Sequence, residues 1–219
     1  MFEQATGRGV KVAVIDTGVN ARHPHIGKVA GGVSIVDGVA DYLDLMGHGT
    51  AVFAAIEEKA PEAEIYAVKV FHQSLRTSIG MLEDAMRWAI EQRMDLINLS
   101  LGTRNPEHIA RFEPLIAAAL AQGTLLISAM DAQGETCYPG SLEGVVGVGV
   151  DVECPREVVR LDGELFRASP YPRPLPGLPV ERNLSGISFA VANVTGLVAR
   201  ARELYGAPLT REALGELIR

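Results

Sequence analysis

"VKVAVIDTG", residues 10–18, decides the fold of this chain. The run from Val12 to Ile15 is apolar on both faces and rich in β-branched residues, which suits a strand covered on both sides. It ends at Asp16, and Thr17-Gly18 turn the chain away. Similar runs recur at "EIYAVKVF" (64–71), "DLINLSL" (95–101), "TLLISA" (124–129) and "GVVGVGV" (144–150). Between them lie segments with apolar residues at helical spacing. "GTAVFAAIEEKA" (49–60) reads as a helix stopped before Pro61. "SIGMLEDAMRWAIEQRM" (78–94) is a helix with Ser78 as N-cap, and "PEHIARFEPLIAAALAQ" (106–122) is one closed by Gly123. Residues 155–183 are rich in Pro, Arg and Gly and read as loops around one short hairpin. Two last helices are predicted over about 188–204 and 210–218.

Alternating strands and helices predict an α/β fold in three layers, a mostly parallel sheet with helices on both faces. Functional groups in such sheets gather at the carboxyl ends of the strands. The chain has 219 residues, with no internal repeat and no low-complexity tract, and is expected to form one domain over 1–219.

Composition narrows the function. The formal net charge is −7, with no basic block and no aromatic-basic interleaving, which argues against a nucleic-acid partner. No apolar run approaches the roughly 18 residues of a membrane span. The first residues, "MFEQATGRGVKVAVIDTG", lack the pattern of a signal peptide, so a cytoplasmic location is expected. Cys137 and Cys154 are too few for a disulfide framework and are expected as free buried thiols.

Three residues at element boundaries carry the chemistry. Asp16 closes the first strand, where an acid can hold a metal, a ribose or a helix cap. His48 stands between two glycines in "GHGTAVFAA" (47–55), just before a helix. Ser188 stands in "SGISFAVANVTG" (185–196) at the start of another helix, whose N-terminus offers free N–H groups. An acid, an imidazole and a hydroxyl are the parts of a nucleophilic triad. A serine hydroxyl needs a base within hydrogen-bond reach, and the base needs a partner to fix its tautomer.

Together with "VKVAVIDTGVNARHPHIGKVAGG" (10–32), "IYAVKVF" (65–71) and "MDLINLSLG" (94–102), these motifs resemble the subtilisin family, the subtilases, from about Val10 to Arg200. The order Asp, His, Ser is that family's order. The resemblance implies that Ser188 attacks a scissile carbonyl, His48 carries its proton and Asp16 orients His48. It implies a peptide or protein substrate bound as an extended strand along Ser100, Leu101 and Gly102, which form one wall of the pocket for the residue before the scissile bond. Ser128, Ala129 and Met130 form the other wall, Cys137 lies near its base, and Leu75, Arg76 and Thr77 flank the substrate on its far side. No cofactor is implied.

The chain also departs from the family. Asp131 stands where the oxyanion-hole Asn is usual. A carboxyl group there donates only in its protonated form, which predicts slower or acid-shifted turnover. Met130 replaces a glycine and should narrow the pocket. Ile187, Phe189 and Ala192 alter the serine motif. The loop that often binds calcium is shortened to "EEKAPEAE" (57–64), so no metal is expected there, and His23-Pro24-His25 reads as a solvated loop. No pro-domain precedes Val10, so the chain is expected to fold unaided or to have lost one. A narrow-specificity serine endopeptidase is the expected function. The departures leave a peptide-binding pseudoprotease and an acyl-transfer ligase or cyclase as alternatives.

Overall fold

The computed structural model describes residues 2–72, 74–132, 134–206 and 209–218. An eight-stranded sheet runs through it. Its strands are β1 (Lys11–Asp16), β2 (Gly31–Ser34), β3 (Glu64–Lys69), β4 (Leu96–Leu99), β5 (Leu125–Ala129), β8 (Val146–Val150), β9 (Arg160–Asp162) and β10 (Leu165–Ala168). Two short strands, β6 (Asp131–Ala132) and β7 (Glu135–Thr136), form a separate antiparallel ribbon. The helices are α1 (His48–Lys59), α2 (Ile79–Glu91), α3 (Ile109–Ala121), α4 (Ile187–Tyr205) and α5 (Arg211–Ile218).

The strand order is β2-β3-β1-β4-β5-β8-β10-β9, parallel except for the terminal β9-β10 hairpin. Alternation within β1 explains the layers. Val12 and Val14 join the cluster that holds α1 and α4, while Ala13 and Ile15 join the cluster that holds α2 and α3. Both faces of the strand are therefore dry, as its composition requires. Gly196 lets α4 lie close on α1, because a Cβ there would stand 2.8 Å from the Lys59 Cβ.

The expected elements occur with boundaries within a few residues. Ser78 caps α2, its hydroxyl accepting from Met81 N at 3.2 Å. Gly123 ends α3 at φ 82. Cys137 and Cys154 are free and buried. Two features were not foreseen. β2 is a glycine-rich edge strand, and Gly32 lies so close to β3 that a Cβ would come within 2.3 Å of Ala67 O. The β6-β7 ribbon has two residues per strand, too few for any period to show. His48, expected just before a helix, is instead the first residue of α1.

Candidate active site

Parallel strands carry Asp16, Ser100 and Asp131 to one edge of the sheet, at or just past the ends of β1, β4 and β5. Asp16 is buried, and its Oδ1 lies 2.7 Å from His48 Nδ1 and accepts from Thr17 N at 2.7 Å. The first turn of α1 holds the imidazole. Its other neighbour is the ring of Phe189, with centroids 5.6 Å apart. Phe189 follows Ser188, so this contact packs the first turn of α4 against His48. Burial pushes the His48 pKa down, but the hydrogen bond and charge of Asp16 and the charge of Asp44 outweigh it. The net effect is a pKa above the ordinary imidazole value.

Ser188 Oγ donates to Ser100 O at 3.0 Å, and no hydrogen bond among the described residues joins it to His48. Ser100 is itself fixed by a buried polar chain. Asn98 Nδ2 donates to Ser100 Oγ at 2.7 Å, and the Thr195 hydroxyl shares its proton between Asn98 Oδ1 at 2.9 Å and Val191 O at 2.8 Å. This chain ties β4 to α4 beneath the site.

One cavity reaches Ser188 and a second lies along Leu101 and Gly102. One, of about 730 Å³, is lined by Ser188, Gly186, Asp131, Arg104 and Tyr171 among others. Asp131 Oδ1 accepts from Gly134 N at 2.7 Å, which closes the turn of the ribbon. Arg104 pairs with Glu135 across the same ribbon. The second cavity, of about 410 Å³, is lined by Leu75, Arg76, Thr77, Leu101 and Gly102 among others. All five of these residues border the one cavity.

The other expected wall is less open. Ser128 is fully buried and Ala129 nearly so, and Ser128 thus presents no surface to a ligand. Met130 lies against β8, where a Cβ on Gly147 would come within 2.8 Å of its Sδ. Cys137 is buried, with Sγ 3.7 Å from Glu135 O. Thr103 N donates to Tyr138 O at 2.9 Å and Tyr138 N to Thr103 O at 2.8 Å. That bridge pairs the backbone after Gly102 with the segment after Cys137, so the two lie side by side.

Asp44 was missed by the sequence reading. It is buried near His48 and carries a charge felt by the ring. Its only sequence signal is an acid four residues before His48. Among the described residues, no group of three or more His, Cys, Asp or Glu side chains is placed to hold a metal ion. No described helix is long and apolar enough to cross a membrane.

Comparison with known proteins agrees with this geometry. Residues 7–159 match the model of the subtilase family. The chain is 37% identical over 161 residues to the minor extracellular protease Epr of Bacillus subtilis (strain 168), covering 68% of this chain and 24% of that protein. It is 30% identical over 238 aligned positions to an intracellular serine protease of Paenibacillus polymyxa, covering 97% of this chain and 72% of that protein. The chain thus spans between about a quarter and three quarters of these two relatives. A solved cold adapted subtilisin-like serine proteinase superposes with a TM-score of 0.78 at 23% identity, covering 97% of this chain and 82% of that one. At that identity the likeness is one of fold.

Proposed function

The chain belongs to the subtilase family, and from that membership we propose that it is a serine endopeptidase acting through Asp16, His48 and Ser188. The observation that carries this reading is the 2.7 Å contact of Asp16 with His48 Nδ1, made by a buried carboxylate. It leaves Nε2 as the free nitrogen of a ring that packs on the neighbour of Ser188. In the reaction, the Ser188 hydroxyl rotates from Ser100 O to His48 Nε2. Oγ attacks the carbonyl carbon and Nε2 takes the proton. The leaving amine receives that proton as the C–N bond breaks, and an acyl-enzyme remains. Water then enters by the same route in reverse and releases the acid. Asp16 stays ionised and balances the imidazolium.

The substrate lies as an extended strand along Ser100, Leu101 and Gly102, with apolar side chains in the cavity between Leu75 and Leu101. The Thr103–Tyr138 bridge and the buried Ser128 leave little depth at the reacting residue, which favours a small side chain there. Those limits suit processing of a narrow set of peptides, in the cytoplasm and without a nucleic-acid partner. Incubation with a fluorophosphonate from about pH 5 to pH 9 tests the mechanism. Labelling in wild type and its loss in Ser188→Ala is expected. A wild type that takes no label overturns it.

A second reading is a pseudoprotease that holds a peptide strand without cutting it. The specific observation in its favour is the Ser188 hydroxyl engaged with Ser100 O, in a cavity that also contains Asp131. Peptide binding by an unlabelled wild type would support it.

A further inference from the structure

α1 begins without a side-chain cap of its own. Its N-cap, Gly47, is left-handed at φ 86, and no side chain at that position accepts from the helix. The free N–H groups of the first turn are satisfied from outside. Gly49 N donates to Thr17 Oγ1 at 2.8 Å, and Thr50 N donates to Asp44 Oδ2 at 2.8 Å. The Thr50 hydroxyl donates to the same oxygen at 2.6 Å. Asp44 Oδ1 accepts from Thr17 Oγ1 at 2.9 Å, Met46 N at 2.8 Å and Gly47 N at 2.9 Å. Thr17 in turn donates its own N–H to Asp16 Oδ1. One buried carboxylate therefore joins the strand end that carries Asp16 to the helix start that carries His48.

We propose that Asp44 is a positioning residue for the reaction, holding the His48 ring in register with Asp16 through Thr17 and the first turn of α1. The proposal rests on the reading of His48 as the base. A structural cap alone needs one or two of these bonds, whereas here they converge on the only two elements that supply the Asp–His pair. The charge acts too. Burial pushes the Asp44 carboxyl up, but the bonds from the Thr50 hydroxyl and from the N–H groups of Thr50, Met46 and Gly47 hold it below the ordinary carboxylate value. It is thus a fixed negative charge beside the imidazole, additional to Asp16. The other charged groups near it come from three elements. Lys69 of β3 donates to Leu43 O. His23 and His25 line, together with Asp44, a further cavity of about 320 Å³. Arg173 lines it as well and lies 4.0 Å from Glu58. From α4 the neighbour of His48 is the uncharged Phe189.

The test uses the full chain with labelled histidine, the His48 signal being assigned by its loss in His48→Gln. In Asp44→Asn the His48 pKa measured by NMR should fall by about half a unit to one unit. The acid limb of kcat/KM should move down with it, and kcat should drop about tenfold or more with KM within about twofold. Thr17→Val keeps the charge and breaks the link. It should lower kcat while leaving the His48 pKa nearer to wild type, and Thr17→Ser should restore kcat. A folded Asp44→Asn with the wild-type His48 pKa overturns the proposal. If Asp44→Asn does not fold, a folded Thr17→Val with wild-type kcat overturns it instead. An inactive wild type would sink the protease reading, while the NMR titration would still decide the role of Asp44.

Discussion

Asp131→Asn exchanges one oxygen for an NH₂ group in the cavity that also contains Ser188. Asp131 Oδ1 is held by Gly134 N at 2.7 Å, and Asn keeps that bond and that turn. The changed atom is then the other one, Oδ2, which becomes a donor. A preorganised donor at an oxyanion is worth about 10²–10³ in turnover, or about 2.7–4 kcal/mol. Asp131 is only half-buried, so water weakens both the repulsion by the carboxylate and the gain from the amide. A rise in kcat of about tenfold to a hundredfold follows, with KM little changed because the oxyanion exists only at the transition state. Asp131→Ala removes the repulsion without adding a donor and should fall between wild type and Asn. The assay is steady-state cleavage of a short peptide, with active sites counted by fluorophosphonate titration. An Asn variant that titrates fully yet turns over no faster than wild type refutes the reasoning, because Asp131 would then not face the oxyanion.

Three further predictions concern the same framework. The folded His48 pKa is raised above its ordinary 6.5, so kcat/KM should fall on acidification through a midpoint above that value, and Asp16→Asn should move the midpoint down. The stability contributed by this pair is full below the ordinary value and is lost as pH rises through the raised one. The gap in Tm between wild type and Asp16→Asn should therefore narrow over that window, and a constant gap would count against the pair. Thr195→Val removes the hydroxyl bonded to Asn98 Oδ1 and leaves a buried acceptor alone, which should cost about 1–3 kcal/mol in urea unfolding. Thr195→Ser should stay near wild type, and equal losses in both would point to packing instead. Lys59 is buried, and its pKa is lowered from 10.5 to about 8, first by burial and then by Arg156. It therefore destabilises the fold when charged, and Lys59→Met should stabilise the chain near neutral pH by up to about 3 kcal/mol. The wild type should gain stability as pH rises from about 8 towards 10.5 through this group, so the lead of Lys59→Met should shrink there, and a constant or widening lead would contradict the assignment.

Much of the site was legible because local signals and chemistry coincide. Asp16, His48 and Ser188 each stand at or next to an element boundary with a glycine one or two positions away, and Leu75, Arg76, Thr77, Leu101 and Gly102 line one cavity. Ser128 was less legible, since alternation says only that a strand residue points one way or the other. The sheet has helices on both faces, and Ser128 is covered. Met130 was expected to narrow the pocket; its sulfur packs on Gly147 of the neighbouring strand, a contact that no spacing within the chain records.

The sequence by itself determined the order and type of the main elements and the two-faced burial of the strands, and it singled out Asp16, His48 and Ser188. Each of these depends on residues within one turn or one strand of each other, where period and capping act. Tertiary structure alone decided the edge strand β2, the ribbon at Asp131, the bridge between Thr103 and Tyr138 and the partner of the Ser188 hydroxyl. It alone decided the role of Asp44, whose carboxylate reaches Thr17 across 27 residues of chain. Such contacts form because packing brings distant backbone donors together in a dry place, where every one of them must find an acceptor.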